Sequence, residues 1–305
     1  MKTKRIVVIG SCNTDMVIKA NRIPVPGETI LGGVFMMNPG GKGANQAVAA
    51  ARMGANVTFI SKTGNDLFGK QSMKIYNEEN INTDFIFTDS HLPSGVALIM
   101  VDGNGENCIV VASGANSSLS PQDIEKAKNV IEKAEIVLLQ LETPIETVEF
   151  AAKLAHRKGI KVILNPAPAA FLSDELLSHL YAVIPNNSEA EMLSGIKVFD
   201  WDSASKAATI ISAKGVDLVI ITLGSKGALI KDGDTFIRVP VEKVKAVDTT
   251  AAGDTFCGVL SVALSEGMGI EDAVKFANKA ARITVTREGA QAAIPYRKEL
   301  EFLNL

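Results

Sequence analysis

Two hydrophobic rhythms alternate along the chain. Near-continuous apolar runs at Arg5–Gly10, Val57–Lys62, Ile136–Gln140, Lys161–Asn165, Ala182–Pro185 and Leu218–Thr222 predict strands buried on both faces, as in a parallel sheet covered by helices. Helical stretches lie between them. Gly43–Gly54 is rich in small residues (Ala44, Ala47, Ala49, Ala50, Ala51) and stops at a glycine, and Leu67–Glu79 follows the next strand. Ser120-Pro121-x-Asp123 opens a helix with an N-cap, a proline at its first position and an acid at its third. Thr143-Pro144-x-Glu146 predicts another built the same way, with a capping-box glutamate. Two long helices, Ala252–Glu266 and Ile270–Thr286, close the chain. The early segments differ. Asp15–Lys19 and Thr29–Met37 read as short strands separated by Pro24, Pro26 and Gly27. Val96–Val101 and Asn107–Ala112 flank Asp102-Gly103-Asn104-Gly105, a hairpin turn with two residues suited to positive φ. The pattern predicts an α/β fold, a doubly wound and mostly parallel sheet flanked by helices, with a small β element built from the early segments.

A length of 305 residues suits roughly two domains or one large α/β unit with an appendage, and its core needs no staples. No repeat, low-complexity tract or linker divides it, so a single unit over 1–305 is expected. Lys and Arg number 31 against 34 Asp and Glu, a balance that argues against a sequence-independent nucleic-acid binder. Cys12, Cys108 and Cys257 form no Cys-x-x-Cys pair, as expected in a reducing compartment. His91, His156 and His179 are too scattered to suggest zinc. Lys2, Lys4 and Arg5 ahead of Ile6–Ile9 and Gly10-Ser11-Cys12 imitate a lipoprotein signal, but its apolar region needs about 7–15 residues. No apolar run approaches the roughly 18 residues of a membrane span. A cytoplasmic protein without membrane attachment is expected.

The two commonest nucleotide motifs are absent. A Walker A lysine is followed by Ser or Thr, yet Lys42 runs into Gly43, and Gly10 precedes Ser11-Cys12-Asn13 instead of a Rossmann glycine pattern. Other blocks stand at predicted strand ends. In Gly40-Gly41-Lys42-Gly43-Ala44-Asn45, adjacent glycines leave amides open to a ligand at a helix N-terminus, with Lys42 and Asn45 as added donors. An ordinary turn into a helix reads the same way. In Asp248-Thr249-Thr250-Ala251-Ala252-Gly253-Asp254, Gly253 admits a charged group and the amides suit an oxyanion. Asp254 stands where a carboxylate takes a proton from a hydroxyl, with the helix dipole favouring its ionised form. An acid in a first turn is also a common structural feature. Asn186-Asn187-Ser188-Glu189 fits a capping box and also the ligand-binding edge of an α/β sheet. Thr222-Leu223-Gly224-Ser225-Lys226-Gly227 reads as a tight turn or a nucleotide-lining loop. Glu142, directly after a strand, either accepts sugar hydroxyls or faces solvent. All of them should converge on one sheet edge.

The whole chain resembles the ribokinase-like family of carbohydrate kinases. The resemblance is carried by Gly10-Ser11-x-Asn13-x-Asp15, GGKGANQAVAAARMGAN (Gly40–Asn56), SGVALIMVDGNGEN (Ser94–Asn107), NPAPA (Asn165–Ala169), TLGSKG (Thr222–Gly227) and DTTAAGDTF (Asp248–Phe256). It implies ATP-dependent phosphorylation of D-ribose at its 5-hydroxyl. The acid matching Asp254 is the base, and amides around Ala251, Ala252 and Gly253 form the anion hole. Ser11, Asn13, Asp15, Gly40, Gly41, Lys42, Gly43, Asn45 and Glu142 match sugar-binding positions. Asn186, Thr222, Gly224, Ser225, Gly227, Gly253 and Asn278 match nucleotide positions, and Glu189 an acid of the magnesium–phosphate water network. Asn278 stands where many relatives carry His. A monovalent-cation site, for potassium, is matched by Asp248, Thr250, Thr284, Arg287 and Gly289, with Ala293 where many relatives have Ser. The alternatives are a kinase for another sugar or nucleoside, or a non-catalytic sugar-binding regulator, which should have lost the base or the anion hole.

Val96–Val101 and Cys108–Ala112 are apolar at consecutive positions, so both faces of that hairpin are apolar. One face would cover the sugar as a lid, formed by segments near 13–20, 29–38 and 94–113. The other requires a cover, most simply the same element of a second chain in an isologous homodimer, an arrangement that family members resemble.

Overall fold

The computed structural model describes residues 4–302, so Lys2 of the basic N-terminal stretch lies outside it. Its strands are β1 (Arg5–Ile9), β2 (Asn13–Lys19), β3 (Val34–Gly40), β4 (Asn56–Gly64), β5 (Ile86–Asp89), β6 (Gly95–Val101), β7 (Asn107–Ala112), β8 (Ile136–Leu139), β9 (Lys161–Leu164), β10 (Ala182–Val183), β11 (Leu218–Thr222), β12 (Ala228–Asp232) and β13 (Thr235–Val239). Nine form one sheet in the order β13-β12-β11-β10-β9-β8-β1-β4-β5, and β3-β2-β6-β7 form a second, smaller one. The large sheet is parallel from β5 to β11, with β12 and β13 added antiparallel at one edge.

Strand residues point alternately to two faces, and here both faces are core. Ile6 and Val8 join Phe59, Leu138, Ile163 and Ile220 on one side, under helices Lys42–Arg52, Ala252–Ser265 and Ile270–Thr284. Val7 and Ile9 join Ile60, Val137, Leu139 and Val219 on the other, under helices Ile145–His156, Asn187–Ser194 and Trp201–Ser212. That double burial is why the strand sequences run apolar without alternation. Helices Lys42–Arg52 and Ala252–Ser265 touch at Gly258, where a Cβ would lie 2.7 Å from the Gln46 carbonyl oxygen. Only glycine lets the two backbones approach so closely.

Four expectations change. Thr143 is not a cap: Pro144 itself, at φ −54° and ψ 133°, is the N-cap of Ile145–His156. Its carbonyl accepts from the Thr147 and Val148 amides, while the buried Thr143 hydroxyl is unpartnered. The extended ψ leaves the proline one position too early for Thr143 to reach the first turn. The strand expected at Thr29–Met37 forms instead as Val34–Gly40, because Gly32 and Gly33 adopt φ of 97° and 106°. Edge strands β5 and β13 and the adjoining β12 carry little periodicity in sequence, and a short helix, Arg297–Phe302, follows the two long ones. Among the described residues no helix is long and apolar enough to cross a membrane.

Candidate active site

From β1 the chain leaves toward β4 on one side, and it later returns as β8 on the other. The loops after β1 and β8 therefore part and open a crevice at the strand ends. Ser11, after β1, donates through its hydroxyl to Glu142 Oε2, after β8. Helix Lys42–Arg52 starts in this gap, with Gly41 at φ 91° as its N-cap. Its first amides are taken up: Lys42 N donates to Glu142 Oε2 (3.0 Å), Gly43 N to Ser11 Oγ (3.3 Å) and Ala44 N to Ser11 O (2.9 Å). The amides of Lys42, Gly43 and Ala44 are thus not open to a ligand, since Ser11 and Glu142 cap the helix. Gly43 has no freedom either, as a Cβ there would lie 2.6 Å from the Ser11 nitrogen.

Above the crevice lies a cavity of about 400 Å³, lined by Asn13, Asp15, Gly41, Lys42, Asn45, Glu142, Asn165, Asn186, Glu189, Thr222 and the run Thr249–Asp254. Ala97, Ile99, Ile109 and Val111 of the small sheet cover it with apolar side chains. Ser11, Gly40 and Gly43 stand behind the wall: the Asp15 carboxylate packs directly on Gly40, leaving no room for a Cβ. Asp254 is buried at the cavity floor, its Oδ2 accepting from Asn45 Nδ2 (2.9 Å) and its Oδ1 from Gln46 Nε2 (3.0 Å). The other side-chain atom of Asn45, Oδ1, is buried without a partner. A ligand hydroxyl would satisfy it.

Burial dominates the charges here. It raises the Asp254 carboxyl above the usual range despite opposition from Lys42, Asn45 and Gln46. Asp15 is pushed up to about 7 by burial, with Glu142 and Asp254 adding to the rise and Lys42 opposing it. Glu189 is raised by burial as well, against the Asn186 amide and Lys42. Lys42 keeps its proton more firmly than usual: burial works against it, but Asp254, Glu142 and Glu189 prevail. The site is one cation among four carboxylates, suited to hydroxyl donors.

Helix Ala252–Ser265 points its N-terminus into this cavity. Among the described residues no side chain caps it, and its N-cap Ala251 sits at φ 60°, an uncommon left-handed conformation for a residue with a Cβ. Of its first amides Ala252 is bound, to Thr249 O at 3.3 Å. On the far side of Gly253 a second cavity of about 270 Å³ opens, lined by Thr222, Gly224, Ser225, Gly227, Val244, Phe256, Asn278 and Val285. Thr222, Thr249, Ala252 and Gly253 border both cavities. The second is mostly apolar but contains Asn278, whose buried Nδ2 lacks a partner. Asn186 and Glu189 lie in the first cavity, where the expected capping box forms: Asn186 accepts from Glu189 N (3.0 Å) and Glu189 Oε2 from Asn186 N (2.8 Å).

The residues matched to a monovalent cation gather only in part. Asp248 accepts from Thr250 N (2.9 Å), Thr250 Oγ1 (2.6 Å) and Gly289 N (3.0 Å). Burial would raise the Asp248 carboxyl, but those donors hold it below the usual range. The Thr284 hydroxyl is engaged by Thr255 and Ala280, Arg287 pairs with Glu299, and Ala293 is fully buried. Among the described residues no cluster of three His, Cys, Asp or Glu could hold a metal ion. Sequence reasoning missed Gln46, Asn107, Asn165 and the apolar lining of the second cavity, whereas the apolar cover of the first is the expected lid face. Gln46 carried a signal: with Asn45 it is a pair of amides in a helix whose other buried residues are Gly, Ala and Val.

A doubly wound sheet, a ligand crevice at its switch point, a β cover and an uncapped helix N-terminus beside a buried carboxylate together define an α/β enzyme acting on a polar small molecule. The pfkB family of carbohydrate kinases matches residues 3–297, and the chain belongs to that family. It is 47% identical over 301 residues to a ribokinase of Haemophilus influenzae, covering 98% of each chain. It is 38% identical to a deoxyribokinase of Salmonella typhi, covering 98% of this chain and 99% of the other. Its fold is similar to that of Arabidopsis thaliana ribokinase complexed with ribose and ATP, with a TM-score of 0.91 at 31% identity over 99% of this chain and 98% of that one.

Proposed function

We propose that this chain transfers the γ-phosphoryl group of ATP to the 5-hydroxyl of D-ribose. The observation that carries the reading is the meeting of two unlike cavities at Gly253: a polar one floored by Asp254 and an apolar one suited to a nucleotide. Its support from relatives is the 47% identity to a ribokinase. In this reading Asn13, Asp15, Gly41, Lys42, Asn45 and Glu142 fix the hydroxyl directions of the sugar, with Ser11, Gly40 and Gly43 shaping the wall. Asp254 accepts the proton of the attacking hydroxyl, and its carboxylate is oriented beforehand by Asn45 and Gln46. The first-turn amides from Ala251 to Gly253 stabilise charge on the phosphoryl group in transit. Thr222, Gly224, Ser225, Gly227 and Asn278 line the nucleotide, the orphan amide of Asn278 donating to it. Asn186 and Glu189 face its phosphates.

The residues fit magnesium, and those matched to potassium gather in part, around Asp248. Glu189 is a buried carboxylate beside the phosphate path, suited to the water shell of magnesium, which neutralises phosphate charge when bound. Potassium would be held by Asp248, with backbone oxygens of Thr250, Thr284, Arg287, Gly289 and Ala293, and would supply fixed positive charge beside the loop. The sparse cysteines suit a cytoplasmic enzyme.

The small sheet completes the proposal as the lid of a homodimer of about 65 kDa, twice the 32.3 kDa chain. Its outer face is a continuous apolar surface: Ile18 pairs with Phe35 and Met100, and Leu98 with Met16 and Val110. Phe35 is 61% exposed and Val110 69% exposed. A patch of this kind on a cavity cover suits a second copy of itself. A coupled assay with MgATP against ribose, deoxyribose, fructose and adenosine tests the function. Preference for ribose is expected, preference for deoxyribose would reassign the substrate, and no turnover of any of them would overturn the reading.

A further inference from the structure

Beneath the first cavity lies a chain of buried amides, of which Asn165 lines the cavity while Gln46 and Gln140 stand behind it. Gln46, fully buried on helix Lys42–Arg52, donates from Nε2 both to Asp254 Oδ1 (3.0 Å) and to Asn165 Oδ1 (3.1 Å). Its Oε1 accepts from Gln140 Nε2 (2.7 Å), at the end of β8. Asn165, at the end of β9, donates from Nδ2 to the Ile184 carbonyl (3.1 Å). The direction of every amide follows from chemistry. Ile184 O and an ionised Asp254 only accept, so Asn165 turns its nitrogen to Ile184 and Gln46 its nitrogen to Asp254. Gln46 Oε1 is then left for Gln140, which must present nitrogen. Each group in the chain has one consistent orientation.

A buried glutamine needs partners whatever its purpose, and a core amide satisfied by backbone would be the plainer solution. Gln46 instead spends both hydrogens on groups that line the cavity. The helix itself asks for no amide there, since Ala44, Ala47, Val48 and Ala49 are buried beside it. The two oxygens of Asp254 also differ in what holds them. Asn45 reaches Oδ2 but faces the cavity and has an unpartnered Oδ1, so it is shared with ligand. Gln46 reaches Oδ1 from the core and is not shared.

We propose that Gln46, oriented by Gln140 and Asn165, is the positioning residue for the base Asp254, holding its carboxylate in one plane and in its ionised form. The inference rests on the reading of Asp254 as base. Donation from an N–H favours the charged carboxylate, against the burial that disfavours it. Titratable groups facing Asp254 are Lys42, Glu142, Asp15 and Glu189 from other elements and Cys257 from its own helix. All are unchanged by a substitution at 46.

The test compares wild type, Gln46→Met, Gln140→Met and Asp254→Asn as full-length protein, with kcat and KM for ribose followed across pH. Gln46→Met is expected to lower kcat about tenfold near neutrality and to move the acid limb of the profile upward by about one pH unit, the scale of a hydrogen bond to a charge. KM should change much less, and rate should recover at higher pH. Gln140→Met leaves both Gln46 donations in place and should move the limb in the same direction by less. It carries the test if Gln46→Met does not fold. An acid limb that stays where it is, with activity kept or lost uniformly, overturns the inference. If Asp254→Asn retains more than a tenth of wild-type turnover, the base assignment fails instead, and the two failures are distinguished.

Discussion

Asp15 sets function against stability. It is 8% exposed on β2, its carboxylate packed on Gly40 and turned to the cavity, and among the described residues no donor reaches it. Burial and the neighbouring Glu142 and Asp254 carry it from 3.8 to about 7. An acid raised in the folded state binds its proton more tightly folded than unfolded. Ionisation therefore works against folding, beginning near the unfolded value and complete once pH passes the folded one. The span from 3.8 to about 7 amounts to about 4 kcal/mol at about 1.36 kcal/mol per pH unit. Asp15→Asn removes the ionisable group and keeps the shape. Urea unfolding of the ligand-free protein should show the variant more stable than wild type at about pH 8, by up to about 4 kcal/mol. The gap should close as pH falls from about 7 to about 4. Sugar affinity should move the other way: KM for ribose rises in wild type below about pH 7, while the variant binds weakly throughout. A variant no more stable at about pH 8, or a gap that persists below about pH 4, would refute the reasoning.

Asp254→Asn should fold and bind ribose yet lose about 10²–10⁴ in turnover, the usual contribution of a positioned base. Potassium in place of sodium at constant ionic strength should raise kcat, and equal rates would mean that Ala293 or its surroundings have disabled the cation site. On the lid, Ile99 lines the cavity while Val110 faces outward, so their replacement by Asp separates two effects. Val110→Asp should weaken the dimer by about a hundredfold or more in sedimentation, because a two-fold interface buries the charge twice. Ile99→Asp should chiefly raise KM for the sugar, and a wild-type KM would count against a covering role.

The sequence by itself determined the parallel core and the edge at which the chemistry gathers. Runs such as Ile6–Ile9 and Ile136–Leu139 are apolar at every position because both faces of β1 and β8 are buried, and that property is local enough to read. Blocks containing Asp15, Asn45, Glu142, Asn186, Thr222 and Asp254 could be placed at strand ends because glycine, proline and capping residues punctuate them. Tertiary structure decided which groups meet. The Gly40 block read as amides open to a ligand or as an ordinary turn, and Ser11 and Glu142, brought in from two other strand ends, occupy the amides of Lys42 and Gly43. The dipole of helix Ala252–Ser265 favoured an ionised Asp254, but burial in the folded chain raises its carboxyl above the usual range. Gln46 became a neighbour of Asp254 only because Gly258 lets two helices, more than two hundred residues apart, cross at backbone contact. Periodicity and turn chemistry act through a residue's nearest neighbours along the chain, so they are legible in order. Desolvation and hydrogen-bond partnership are set by whatever the folded chain places alongside, and no sequence window contains that.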